Sequence, residues 1–308
     1  MNRHAPNIIA LGTALLVLQA CHDQRAPTEL AGGGVLAASV TPADPAGRHL
    51  VVFTAERVPA DFGDRVAQLG GSVETSLDSI GVAAVTGLSE DAAAELAAAA
   101  DVRPVEPDVA TAPPNEDVGA DGATGDEAVS EPLAPADATA SPTAAQFYAL
   151  QWYLRAVFAP EPWAAGLLGS RDVVVAILDT GIDYTNPDLV GLVDLDRSIS
   201  FVPEDVTRHY PGRLPFSDLF WHGTAVASAV ASNAIVLAGV NRYVTLLAVK
   251  VADSTNTHTA GRLITGIVYA ADQGADVINV SRGSQRHKSP FKMMSVDNIY
   301  MLVRYETG

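Results

Sequence analysis

The chain has 308 residues, a formal charge of −17 at pH 7 and an isoelectric point near 4.6. Phosphate binding needs a basic face, so with that acidity no nucleic acid is expected as partner. Hydrophobic residues make up 48%, but alanine and an apolar leader inflate the share, and it does not imply a membrane domain.

In chain order, residues 1–21 read as an export signal. Arg3 and His4 precede an apolar run from Ile8 to Leu18 that is too short to span a bilayer. Cys21 is the chain's one cysteine, so no disulfide can form within it. Residues 22–47, rich in Ala, Gly, Thr and Pro, read as a tether. Residues 48–110 then predict a strand at His49–Thr54, a helix from Pro59 to Leu69, strands at Ser72–Leu77 and Ile80–Thr86, a helix capped by Ser89, and a strand from Val102 to Val109. That β-α-β-β-α-β order is a small ferredoxin-like α+β domain. Residues 111–145 carry seven acidic residues, five Pro and neither Lys nor Arg, a composition too poor in apolar surface to order itself. In residues 146–308, short apolar strands at Val173–Leu178, Thr245–Val251 and Asp276–Ser281 alternate with helices near His222–Ser232 and Thr259–Gln273. Alternation of this kind predicts an α/β domain with a doubly wound parallel sheet.

Two segments carry the chemistry. Val173-Val-Val-Ala-Ile-Leu-Asp179-Thr-Gly-Ile-Asp183 delivers an Asp from a buried strand into a glycine turn, and His222-Gly-Thr-Ala-Val-Ala opens a helix of small residues. Functional groups of an open parallel sheet gather at the carboxyl ends of its strands. There Asp179 would accept a hydrogen bond from the His222 ring and fix its tautomer, and His222 would serve as base for a Ser hydroxyl. An aspartic-protease reading of Asp-Thr-Gly is disfavoured, because no second such motif occurs and Ile182 follows the glycine.

On these motifs the chain resembles the subtilisin-like serine proteases (subtilases, peptidase family S8) over most of residues 48–308. Asp183-Tyr-Thr-Asn186-Pro187-Asp188-Leu189, Ala248-Val-Lys250-Val251 and Gly274-Ala-Asp276-Val-Ile-Asn-Val-Ser281 extend the likeness. Residues 48–110, ending in Val105-Glu106-Pro107-Asp108, resemble the inhibitor-type (I9-like) propeptide. The resemblance implies polypeptide substrates and a propeptide bound over the active-site cleft. It also implies catalytic roles for Asp179 and His222, and substrate-binding backbone at Ser281, Arg282 and Gly283. No cofactor is required, although Asp188 matches a structural calcium ligand. Leu18-Gln19-Ala20-Cys21 is similar to a bacterial lipobox, implying lipidation at Cys21 and a membrane-anchored lipoprotein, with plain secretion as the alternative. Departures are Asn186 where His is usual, Trp221 where Gly is usual, and Arg282 where an apolar residue is commoner. No Gly-Thr-Ser helix start follows His222, so the nucleophile and the oxyanion Asn are expected to be absent and the chain inert as it stands. The rival reading is a non-catalytic pseudoenzyme or a propeptide-type inhibitor and binding module.

Overall fold

A computed structural model describes residues 47–55, 57–112 and 141–281; Cys21, the tether, most of the acidic segment, Arg282 and Gly283 lie outside them. The first unit comprises β1 (His49–Phe53), α1 (Phe62–Gln68), β2 (Ser72–Leu77), β3 (Val82–Thr86), α2 (Glu90–Ala97) and β4 (Val102–Pro107). Its sheet is antiparallel in the order β2-β3-β1-β4, with His49 opposite Val85 and Leu50 opposite Glu106, which is a ferredoxin-like arrangement. Successive strand residues point to opposite faces. Val51, Phe53, Ala83 and Val85 accordingly meet Phe62 and Val66 of α1 and Leu96 of α2. Ser89 caps α2 as its hydroxyl accepts the Ala92 amide at 3.2 Å, satisfying one of the free donors of the first turn. The other face, with Leu50, Val82 and Ala84, packs on Ile264 of the second unit.

That second unit opens with two short helices, α3 (Trp152–Ala156) and α4 (Pro160–Ala164). Then follow β5 (Val174–Asp179), β6 (Ile199–Ser200), α5 (Pro203–His209), α6 (His222–Val230), β7 (Thr245–Lys250), α7 (Ala260–Asp272) and β8 (Val277–Val280). All four strands are parallel, in the order β6-β7-β5-β8. Every residue of β5 is buried, as a parallel strand covered on both faces requires. Val175 and Ile177 pack with Leu246, Ala248 and Ala227 of α6. Val174, Ala176 and Leu178 pack with Leu247, Val249 and Ile267 and Ala270 of α7. The sheet therefore lies between α6 and α7, and its central strand carries Asp179 at the carboxyl end.

The two units meet at the start of α7. The Asp108 carboxylate, 1% exposed, accepts the Gly261 amide at 2.8 Å and lies 3.7 Å from the Arg48 guanidinium. A Cβ on Gly261 would come within 2.6 Å of Asp108 Oδ2, so any side chain there would push the carboxylate from its place. Beyond Asp108 the chain runs antiparallel to the segment before α7: Thr111 donates to the His258 carbonyl at 2.7 Å, and the His258 amide returns a bond at 3.0 Å. Asp108→Ala removes a buried acceptor, while Glu74, 2.5 Å from Arg48, still compensates that cation. The expected loss is about 2 kcal/mol of docking, read as roughly 30-fold faster hydrogen exchange at the Gly261 and His258 amides.

Candidate active site

Asp179 ends β5 fully buried, and His222 is the first residue of α6. His222 Nδ1 lies 2.8 Å from Asp179 Oδ1. An ionised carboxylate can only accept, so Nδ1 carries a proton in this bond, and in the neutral ring Nε2 is then the acceptor. The same Oδ1 accepts the Thr180 amide at 2.7 Å, and the Asp179 carbonyl accepts from Val251 and Ala252 at 2.9 and 3.2 Å. Backbone and side chain are thus fixed together.

Two glycines let the turn and the helix meet. Gly181 holds φ +109°, and a Cβ there would overlap the Phe216 carbonyl oxygen. A Cβ on Gly223 would overlap the Gly181 carbonyl oxygen and sit 3.1 Å from Asp179 Cβ. Beneath the turn, Lys250 donates to the Thr180 carbonyl at 2.5 Å and pairs with Asp205 at 3.3 Å. Burial pulls the Lys250 ammonium below the usual lysine range, opposed by the Asp205 and Asp218 carboxylates.

Ahead of the base, Trp221 adopts φ 97°, a left-handed conformation costing a non-glycine residue of order 1–2 kcal/mol. Trp221 is half exposed, stacks on Phe220 with ring centroids 5.7 Å apart, and meets the His222 ring edge-on at 5.8 Å. The residue that is usually Gly in the resembled family here keeps the backbone shape that glycine would allow. The indole adds what glycine would not, an aromatic wall against the base.

Ser281 follows β8, and its hydroxyl accepts from Asn279 at 3.0 Å; Arg282 and Gly283 lie outside the described residues. Asp188 stands apart from the dyad. Its two oxygens accept the amides of Ile235, Val236 and Leu237 at 2.8, 3.0 and 2.8 Å, and the residue is 3% exposed. Calcium takes six to eight oxygen ligands, whereas this carboxylate faces N–H donors. Among the described residues, moreover, no group of three or more His, Cys, Asp or Glu could hold a metal ion. The arrangement at Asp188 fits a carboxylate clasp on the 235–237 loop and does not fit calcium. Chelation with EDTA is therefore expected to leave the unfolding midpoint unchanged, while Asp188→Ala, which orphans three amides, lowers stability by about 2–4 kcal/mol.

Sequence reasoning missed the polar residues around the dyad. Thr180, Asp218 and Thr224 link the Asp179 turn to the His222 helix, and His258 presents a paired backbone edge. Asp218 lies only four positions before His222, and a buried carboxylate next to a helix start is the signal that could have exposed it.

Comparison with known proteins agrees with this geometry. Residues 170–306 match the sequence model of the subtilase family, Peptidase_S8. Over 122 residues the chain is 38% identical to the thermophilic serine proteinase of Bacillus sp. (strain AK1), covering 39% of this chain and 28% of that protein. It is 37% identical to subtilisin E of Bacillus subtilis (strain 168) over 136 residues, covering 44% of this chain and 32% of that one. The chain thus spans about a third of the length of these relatives. The crystal structure of fervidolysin from Fervidobacterium pennivorans superposes with a TM-score of 0.55 over 76% of this chain and 35% of its own, at 22% identity, a likeness of fold. Fold, dyad and sequence thus agree on a likeness, over residues 170–306, to the subtilase family of peptidases.

Proposed function

We propose that this chain belongs to an exported serine endopeptidase precursor, anchored through a lipidated Cys21, in which residues 48–110 act as the inhibitory propeptide. One observation carries the catalytic part: a fully buried Asp179 at the end of a parallel strand, 2.8 Å from Nδ1 of a helix-starting His222. In that state Nε2 is free of its proton. It can take the proton of a hydroxyl nucleophile as the nucleophile attacks a peptide carbonyl, then return it to the leaving amine, with Asp179 stabilising the imidazolium between the two steps. The inhibitory part is supported by the Asp108–Gly261 bond and by the Thr111–His258 pairing, since an extended strand added to a backbone edge is how peptides are commonly recognised.

Casein cleavage tests the reading. The full-length gene product is expected to cleave, and His222→Ala to abolish cleavage; undiminished turnover in that variant would reject the role given to His222. The 308-residue polypeptide by itself is expected to be inert, because its sequence holds no Gly-Thr-Ser segment after His222. The Asp108 and Thr111 contacts also favour a second reading, in which residues 48–110 serve as an inhibitor module. No inhibition of a subtilisin by residues 48–110 alone at micromolar concentration would remove it.

A further inference from the structure

We infer that Asp218 is a positioning residue for the Asp179–His222 pair, a role that rests on the serine-endopeptidase reading above. Asp179 and His222 sit at the ends of two separate elements, β5 and α6. Their mutual side-chain bond cannot by itself set the distance between those ends, because a rotatable imidazole tolerates several backbone placements. A buried carboxylate tied to both ends removes that freedom.

Asp218 is 8% exposed and takes donors from both sides of the pair. Its Oδ1 accepts the Thr180 hydroxyl at 2.9 Å, one residue beyond Asp179. The same oxygen accepts the amides of Phe220 and Trp221, each at 2.9 Å, immediately before His222. Oδ2 accepts the Thr224 amide at 2.9 Å and its hydroxyl at 2.6 Å, two residues after His222. Thr180 closes the circuit, its hydroxyl oxygen accepting the Gly223 amide at 2.9 Å. The donors bracket His222 on either side, and the bond to the Trp221 amide holds the one strained residue, at φ 97°, that aims the chain into α6. Hydrogen bonds to an ionised acceptor are about twice as strong as neutral ones, so a carboxylate suits this junction better than a neutral side chain. Asp218 touches neither ring nor carboxylate of the pair in any bond described above, and acts through Thr180 and the helix start.

The test reads the His222 ring in the full 308-residue chain and needs no turnover. In ¹⁵N-labelled protein, a proton on Nδ1 bonded to a carboxylate gives a far-downfield signal, and the ring ¹⁵N shifts report which nitrogen carries the proton. The wild type is expected to show the Nδ1 tautomer with its downfield signal, and Asp179→Ala, which removes the acceptor, to lose both. A wild type without that tautomer, or an Asp179→Ala variant that keeps the downfield signal, overturns the pairing of Asp179 with His222 and this assignment with it. With those controls in place, Asp218→Ala is expected to abolish the downfield signal and mix the tautomers while the backbone spectrum of β5 and β7 stays folded. Asp218→Asn, whose carbonyl can still take the Oδ1 donors, is expected to retain the signal with about tenfold faster exchange. A folded Asp218→Ala with tautomer and exchange rate unchanged overturns the assignment. Should Asp218→Ala not fold, Thr180→Val decides by cutting the Asp218 link to the Asp179 turn, together with the Thr180–Gly223 bond that completes it, while the bonds of Asp218 to the helix start stay: loss of the tautomer supports the role, and its persistence overturns it.

Discussion

Asp179→Asn in the full-length gene product is expected to lower turnover about 10⁴-fold, the loss seen when a Ser-His-Asp triad loses control of its tautomer. The fold should change little. One oxygen, Oδ1, accepts the Thr180 amide at 2.7 Å and bonds His222 Nδ1 at 2.8 Å, so an Asn that turns its NH₂ to the ring gives up the Thr180 bond, at a cost of roughly 1 kcal/mol. The chemical effect comes from the other half of the amide. Its NH₂ donates, so the neighbouring His222 nitrogen, 2.8 Å away in the wild type, must become the acceptor. The ring proton then moves to Nε2, the position that has to be empty to receive a proton from the nucleophile. Casein turnover and thermal unfolding measured side by side check the claim. Equal losses in both would assign Asp179 a structural role instead.

Gly223→Ala should show the opposite pattern. A methyl at this position has no space, because the Gly181 carbonyl oxygen occupies it and Asp179 Cβ stands 3.1 Å off. Both neighbours belong to a turn fixed by Gly181 at φ +109° and by the bonds from Val251 and Ala252 to the Asp179 carbonyl. Neither can withdraw as a flexible side chain would, so α6 must move away from the sheet. Overpacking against backbone is expected to cost about 3 kcal/mol, visible as a lower unfolding midpoint, and to part His222 from Asp179. An alanine variant with unchanged stability would mean that the helix start is looser than its contacts imply.

The parts of this molecule legible from sequence are those written as local pattern. The unbroken apolar run before Asp179 announced a strand buried on both faces, and Val174–Asp179 is buried throughout. Ser89 followed by Glu90 and Asp91 announced a capped helix, and the Ser89 hydroxyl accepts the Ala92 amide. Glycine marked close approach at both 181 and 223. Less legible were elements held by distant partners. β6 has only Ile199 and Ser200 and exists because β7 offers Val249 and Lys250 beside it, so no periodicity could develop. Helix α5, with Pro203 at its start, is likewise short, and its Asp205 reaches across to Lys250. Asp188 shows the same dependence on distant partners. Its place after Asn186-Pro187 resembled a calcium ligand, and only the three amides arriving from residues 235–237 reveal what it binds. Asp218 was legible only in part: four of its five donors come from the nearby Phe220, Trp221 and Thr224, but the fifth, the Thr180 hydroxyl that ties it to the Asp179 turn, lies 38 residues away.

The contact between the first unit and α7 has one more consequence. Thr111 pairs with His258, and the chain is next described at Ser141, so both partners of that contact belong to one polypeptide. While the intervening stretch is intact, the first unit competes for its seat at a fixed local abundance, of millimolar order for a short connection. Even a micromolar intrinsic affinity would then keep it seated nearly all the time, however dilute the protein. A single cut between residues 112 and 141 turns the same contact into an ordinary bimolecular equilibrium. Dilution after release then does what no change in the interface itself is needed to do: it empties the seat.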